Sequence, residues 1–216
     1  MKQRNVVTPV SDFTEDGDVL EEKRKLRSGE ISSEKYNVVL KDVTKYYKNF
    51  LAVNQLCLGI NSYECFGLLG VNGAGKTTTF KMMTGDVKIS SGDAWIFGLN
   101  LKSDMKSVQK YIGYCPQFDA LLDDLTGRET LVMYCLLRGI PLHESWHVAE
   151  QLSKEFDFHR HITKKVKDYS GGNKRKLSAA LALIGDPPIV FLDEPTTGNL
   201  HFKVWNLIRN IITIIL

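Results

Sequence analysis

The chain has 216 residues, the span of one large domain, and with 43% hydrophobic and 25% charged residues it has material for a real core and is no disordered polymer. Lys+Arg 28 against Asp+Glu 25 leaves +3, which argues against a nucleic-acid polycation. The longest clean apolar run, residues 131–137, is far short of a bilayer span, no apolar leader follows Met1, and four scattered cysteines (Cys57, Cys65, Cys115, Cys135) read as reduced packing thiols rather than as disulfides or a zinc site.

Residues 1–36 read as a charged, disordered linker. Six acids lie between Asp12 and Glu22, then Lys23, Arg24, Lys25 and Arg27 follow, and the sparse apolar residues show no period. A regulatory or docking tail is the other reading. From residue 37 onward strands and helices alternate. Residues 37–43 and 52–58 are strand candidates, and 65–69 is a short buried run ending at Gly70. A glycine-rich turn leads into a helix over 76–84, and 94–97 and 112–114 are short strands. Across 118–168 the strand signal disappears. Thr126 and Glu129 form a capping box that opens a helix to about Arg138. Helices over 142–156 and 173–184 follow, then a buried strand over 189–192. This pattern predicts an α/β fold with a mainly parallel sheet, interrupted by a helical insertion. Ligands then bind beyond the carboxyl ends of the strands.

Gly70, Val71, Asn72, Gly73, Ala74, Gly75, Lys76 and Thr77 fit G-x-x-x-x-G-K-[ST]. Glycines allow positive φ and close backbone approach, and the resulting row of N–H groups at a helix start forms an anion nest. Lys76 can reach β- and γ-phosphates, Thr77 offers a hydroxyl to Mg2+, and Thr78 adds a phosphate contact. Downstream, the apolar strand 189–192 ends in Asp193 and Glu194. Asp193 is placed to hold Mg2+ and Glu194 to polarise an attacking water as general base. A nucleoside triphosphate and Mg2+ are therefore the expected ligands. There is no N-K-x-D guanine motif. Tyr46 and Tyr47 are candidates for stacking on a purine, with packing as the plainer role.

Tyr169, Ser170, Gly171, Gly172 and Asn173 resemble the [LY]-S-G-G-[QN] signature of ATP-binding cassette (ABC) ATPases. The order phosphate loop, Gln117, signature, acidic strand holds throughout, and the likeness covers about residues 36–198. Residues 66–79 and 114–121 look like the A subfamily of lipid exporters, and 169–177 like its second cassette. The resemblance implies an ATPase of P-loop NTPase fold, with an antiparallel β region beside the mainly parallel sheet and a helical subdomain over about 118–172, with ATP and Mg2+ as ligands, coupled to lipid transport at the cytoplasmic face of a membrane. It implies Tyr47 as the adenine-stacking ring (Tyr46 the alternative), Gln117 as the residue that senses Mg2+ and water, and Ser170, Gly171 and Gly172 as the grip on a γ-phosphate held by an opposing cassette. The implied partners are that second cassette and the transmembrane domains, with no nucleic acid. Gln117 could instead be a surface turn residue, and Lys174, Arg175 and Lys176 read as a solvated helix face rather than a phosphate site.

The likeness breaks after Gly198. Asn199, Leu200 and His201 replace the family's D-loop with its Asp. Val204, Leu207, Ile208, Ile211, Ile212 and Ile215 then have the spacing of an amphipathic helix. The strand that should follow, with its switch His, is expected to be missing, leaving an incomplete cassette and an unpaired sheet edge. His143, His147, His159 and His161 lie in the helical insertion and read as surface or packing residues. A non-hydrolysing nucleotide-binding fragment, and a soluble ABC ATPase of translation or DNA repair, are the alternatives to a transporter module.

Overall fold

A computed structural model describes residues 17–28, 36–62, 65–118, 120–193 and 212–215. Two four-stranded sheets carry the architecture. The first is antiparallel, in the order β2 (Phe50–Asn61), β1 (Tyr36–Tyr47), β4 (Ser91–Ile96), β5 (Leu99–Asn100). The second is parallel, in the order β3 (Cys65–Gly67), β8 (Ile212–Ile215), β7 (Ile189–Leu192), β6 (Ile112–Cys115). The helices are α1 (Gly17–Ser28), α2 (Lys76–Met83), α3 (Met105–Val108), α4 (Gly127–Leu137), α5 (Leu142–Glu155) and α6 (Gly171–Ala182). None of the described helices is long and apolar enough to cross a membrane.

β7 shows why the parallel sheet is the centre of the molecule. All four of its residues are buried. Ile189 and Phe191 enter the cluster shared with α2 and the antiparallel sheet, whereas Val190 and Leu192 enter the cluster shared with α4, α5 and α6. A continuous apolar run with alternating destinations is what a strand covered on both faces requires. Phe80 of α2 meets Phe191 edge to face, with ring centroids 5.3 Å apart, and this locks the helix that follows the glycine loop onto the central strand.

The predicted capping box is present: Thr126 Oγ1 accepts from the Glu129 N–H, and the Glu129 carboxylate accepts from the Thr126 N–H at 2.8 Å. α4 and α5 follow the sequence reading closely, and across 118–168 an isolated bridge, Thr126 to Lys165, is the only β pairing among the described residues.

Two expectations change. Residues 17–28 form α1, where the sequence reading had an unstructured linker. The acid-then-base order that suggested a linker suits a helix: Asp18 sits in the first turn, Lys25 and Arg27 in the last, and Glu21 pairs with Lys25 at 2.6 Å. Leu26 is buried, Glu22 accepts from the Gly59 N–H at 3.1 Å, and Arg27 pairs with Asp42, so tertiary contacts with the β1–β2 hairpin replace the missing apolar face. The second change concerns residues 212–215, read as the end of an amphipathic helix. They form β8, inserted between β3 and β7, so the parallel sheet carries a strand where one was expected to be missing. Ile-Thr-Ile-Ile is β-branched throughout, and the slot between two parallel strands overrides a helical spacing. Val204, Leu207, Ile208 and Ile211 lie outside the described residues.

Candidate functional site

β3, β6 and β7 point the same way, so the segments leaving their carboxyl ends open on one edge of the sheet. The glycine loop leaves β3, Pro116 and Gln117 leave β6, and Asp193 leaves β7. These are the three segments that the sequence singles out, and strand direction alone brings them to a common edge.

The loop turns through Gly73 at φ 89° and Gly75 at φ 87°, then enters α2. At Gly75 two demands coincide. Its φ is left-handed, and a Cβ there would stand 2.6 Å from the Ala52 carbonyl oxygen of β2. Only glycine lets the antiparallel sheet press against the loop. Lys76 Nζ donates to the carbonyls of Gly70 at 2.7 Å and Val71 at 3.1 Å, folding over the loop it follows. The Ala74 N–H is spent on the Val71 carbonyl at 3.1 Å, a tight turn that shapes the nest.

These elements enclose a cavity of about 260 Å³. Asn72, Gly73, Gly75, Lys76, Thr77 and Thr78 line one side. Asp193 closes another, and Phe50 and Ala52 of β2 supply the apolar part. Asp193 is 5% exposed and its N–H donates to the Cys115 carbonyl at 3.0 Å, which fixes the strand end. Burial pushes the Tyr114 phenol up, and the Asp193 carboxylate adds to the shift, so negative charge is felt at this edge.

Of the residues chosen from the sequence, Asn72, Gly73, Gly75, Lys76, Thr77, Thr78 and Asp193 meet in this cavity; Gly70 and Ala74 shape its loop behind them. Glu194 and the 199–201 segment lie outside the described residues. Tyr47 pairs in register with Phe50 across the hairpin turn and carries Lys45 Nζ 5.1 Å from its ring centroid, but the cavity wall is formed by Phe50. Phe50, at 67% exposure, was missed because one aromatic after a turn has no motif; its signal is cross-strand adjacency to Tyr47.

The signature segment stands apart. Ser170 caps α6, its hydroxyl accepting from the Asn173 N–H at 3.3 Å, and a Cβ at Gly171 would meet nothing within 4 Å. Ser170, Gly171 and Gly172 do not line the loop's cavity. Behind them, Tyr169 is buried, its hydroxyl donating to the His161 carbonyl at 2.8 Å, and desolvation pushes the phenol up to about 12. Arg175 corrects the sequence reading. Lys174 and Lys176 reach Asp123 and Asp157, but Arg175 is 3% exposed and turned inward.

The donor set suits Mg2+ bound with a phosphate ligand. Thr77 and Asp193 supply hard oxygen atoms, and among the described residues there is no His/Cys/Asp/Glu cluster of the kind that cages a metal without help.

The profile of the ABC transporter family matches residues 53–197, spanning the loop, Gln117, the signature and the acidic strand. The chain belongs to the ABC transporter family. Its relatives include the phospholipid-transporting ATPase ABCA3 of Homo sapiens, 50% identical over 188 residues that cover 85% of this chain and 11% of that protein. The retinal-specific phospholipid-transporting ATPase ABCA4 of Bos taurus is 48% identical over 210 residues, 94% of this chain and 9% of that protein. The chain thus spans about a tenth of the length of these curated ABC relatives. A solved ATP-binding subunit of an ABC transporter superposes with a TM-score of 0.73 at 25% identity, covering 82% of this chain and 78% of that one. A dimeric ATP-binding cassette bound to ADP and Pi gives 0.74 at 23% identity, covering 82% and 87%, a likeness of fold. The architecture is therefore the P-loop NTPase fold of an ABC cassette.

Proposed function

We propose that this chain binds Mg2+-ATP and works as the ATP-hydrolysing cassette of a lipid transporter of the A subfamily. The observation that carries the reading is the single cavity shared by the glycine loop, Lys76, Thr77 and Asp193. The identity to phospholipid-transporting ATPases supplies the transport context.

In this reading the loop N–H groups and the α2 N-terminus hold the β- and γ-phosphates, and Lys76 exchanges its loop carbonyls for phosphate oxygens. Thr77 and Asp193 hold Mg2+, with Gln117 reporting its presence from the end of β6. Bound Mg2+ neutralises charge on the phosphates. The adenine lies against the hairpin that carries Phe50 and Tyr47. Glu194, next after Asp193, takes the proton of the attacking water. Ser170, Gly171 and Gly172 present their backbone donors to nucleotide on a second cassette, which suits their place at the start of α6 with open space at Gly171. Transmembrane domains complete the machine, with the cassette at the cytoplasmic face.

The test is ATP titration of the chain in Mg2+ beside Lys76→Ala. The expected result is binding by the wild type and its loss in the variant, because the cation facing the phosphates is removed. Equal affinity in both overturns the reading.

A further inference from the structure

α6 lies along β6 in a register that matches the two elements' dimensions. A Cβ at Gly113 would stand 2.0 Å from the Ala182 carbonyl oxygen, Cys115 Sγ lies 3.6 Å from Ser178 Oγ, and Arg175 reaches the carbonyl of Pro116. Seven residues of helix and three of strand each advance about 10 Å, so Ala182, Ser178 and Arg175 track the strand from its start to its carboxyl end. The helix runs antiparallel to the strand. Its first turns therefore arrive where β6 gives way to Gln117 and β7 gives way to Asp193.

There the buried Arg175 guanidinium spans both strand ends. Nη1 donates to the Pro116 carbonyl and, at 3.4 Å, to that of Gln117; Nη2 donates to the Asp193 carbonyl. Burying a guanidinium is costly, and an apolar side chain would fill the α6–β6 seam at lower cost. An apolar side chain cannot hold carbonyls of two separate strands at a fixed spacing, and neither can one ammonium do so as well as a planar fork.

We propose that Arg175 is a positioning residue for the Mg2+ site: from the signature helix it fixes the backbone at Gln117 and Asp193, and so sets the spacing of Asp193, which lines the cavity, and Gln117, to which the Mg2+-ATP reading gives the metal. The inference rests on the Mg2+-ATP reading above. Arg175 does not line the cavity; in this reading it acts through the main chain of Gln117 and Asp193.

The experiment measures the affinity of the 216-residue chain for a non-hydrolysable ATP analogue, the β,γ-imido triphosphate, in Mg2+ and in EDTA, for wild type, Arg175→Met and Arg175→Lys. The readout is the ratio of the two affinities. Arg175→Met is expected to reduce the Mg2+ enhancement by about tenfold, the scale for losing a partner that orients a metal ligand, while affinity in EDTA stays within about twofold. Arg175→Lys is expected to fall between, since it keeps the charge but not the fork. A Met variant with the wild-type ratio, or one that loses affinity equally in both conditions, overturns the positioning role. Should Arg175→Met lack a cooperative thermal transition, Arg175→Lys decides the question: a ratio equal to wild type overturns the role. A wild type whose affinity ignores Mg2+ overturns this inference and leaves nucleotide binding standing, whereas a wild type that binds no nucleotide overturns the reading beneath it.

Discussion

At Gly75, Gly113 and Gly127 a single added methyl group would strike a neighbour. Gly127 opens α4 directly against the Tyr169 hydroxyl, and a Cβ there would stand 2.1 Å from that oxygen. Gly127→Ala is expected to destabilise the protein by about 1–3 kcal/mol, the range for forced overpacking. Tyr169→Phe removes the offending oxygen and with it the hydrogen bond to His161, at about 1 kcal/mol. The double variant should then lose less than the sum of the two, which denaturant unfolding of the four proteins measures. The aromatic hairpin gives a second test at this scale. Phe50 lines the cavity and Tyr47 stands opposite it in the ladder. Phe50→Ala is expected to weaken ATP binding by about 1–3 kcal/mol and Tyr47→Ala by less, on the scale of base–aromatic stacking. The reverse order in calorimetric titration returns the stack to Tyr47. The glycine loop, Lys76 and Asp193 were legible in the sequence because their spacing is itself the chemistry. Phe50 and the buried Arg175 were not, because each gains its place from a neighbour distant in the chain: Tyr47 across a turn, and two strand ends beside a helix.

Among elements, long periodic segments and capped ends were readable, and elements made by tertiary contact were not. α4 announces itself through Thr126 and Glu129, and β7 through four consecutive apolar residues. β8 and α1 do not. The Ile-rich segment satisfies helical spacing on paper, and only the slot between β3 and β7 makes it a strand. α1 has one buried residue, Leu26, and is held on the β1–β2 hairpin by polar contacts, chief among them the Arg27 pair with Asp42. The Arg27 guanidinium holds the Asp42 carboxyl below its ordinary value. A depressed carboxylate favours the folded state above its unfolded pKa, and that contribution is lost as pH falls through the lower folded value. Docking of α1 should therefore loosen on acidification below about pH 4, the unfolded range of an Asp. With the pair half-exposed, the loss is expected to be below about 1 kcal/mol. Amide hydrogen exchange in α1 across pH 3–6, corrected for intrinsic rates, should show the loss in the wild type and a flat profile in Arg27→Ala. A profile unchanged by Arg27→Ala would place the anchoring elsewhere, in Leu26 and Glu22.

At the scale of the whole molecule, the two hydrophobic clusters share strands β6 and β7 of the parallel sheet, and the site sits at the carboxyl ends of that sheet's strands. One cluster positions α2 and the glycine loop through Phe80 and Phe191; the other positions α6 and, through Arg175, the ends of β6 and β7. A ligand that grips the loop and Asp193 together therefore ties the two halves to each other, and stabilisation of the whole chain is the expected consequence. Binding to the folded state alone adds about 2.7 kcal/mol at a free ligand concentration of a hundred times Kd. For a domain of this size that corresponds to a rise in Tm of roughly 5–10 °C, taking about 2–4 °C per kcal/mol. The rise should be larger in Mg2+ than in EDTA at the same ATP concentration, should be absent in Lys76→Ala, and should shrink in Asp193→Asn. Thermal unfolding followed separately by the fluorescence of Trp95 in β4, with Trp146 and Trp205 replaced by Phe, and by far-ultraviolet circular dichroism reports whether the halves move as one. If Mg2+-ATP shifts one transition and leaves the other in place, the nucleotide is held by the loop alone, and the bridging role assigned to Asp193 is wrong.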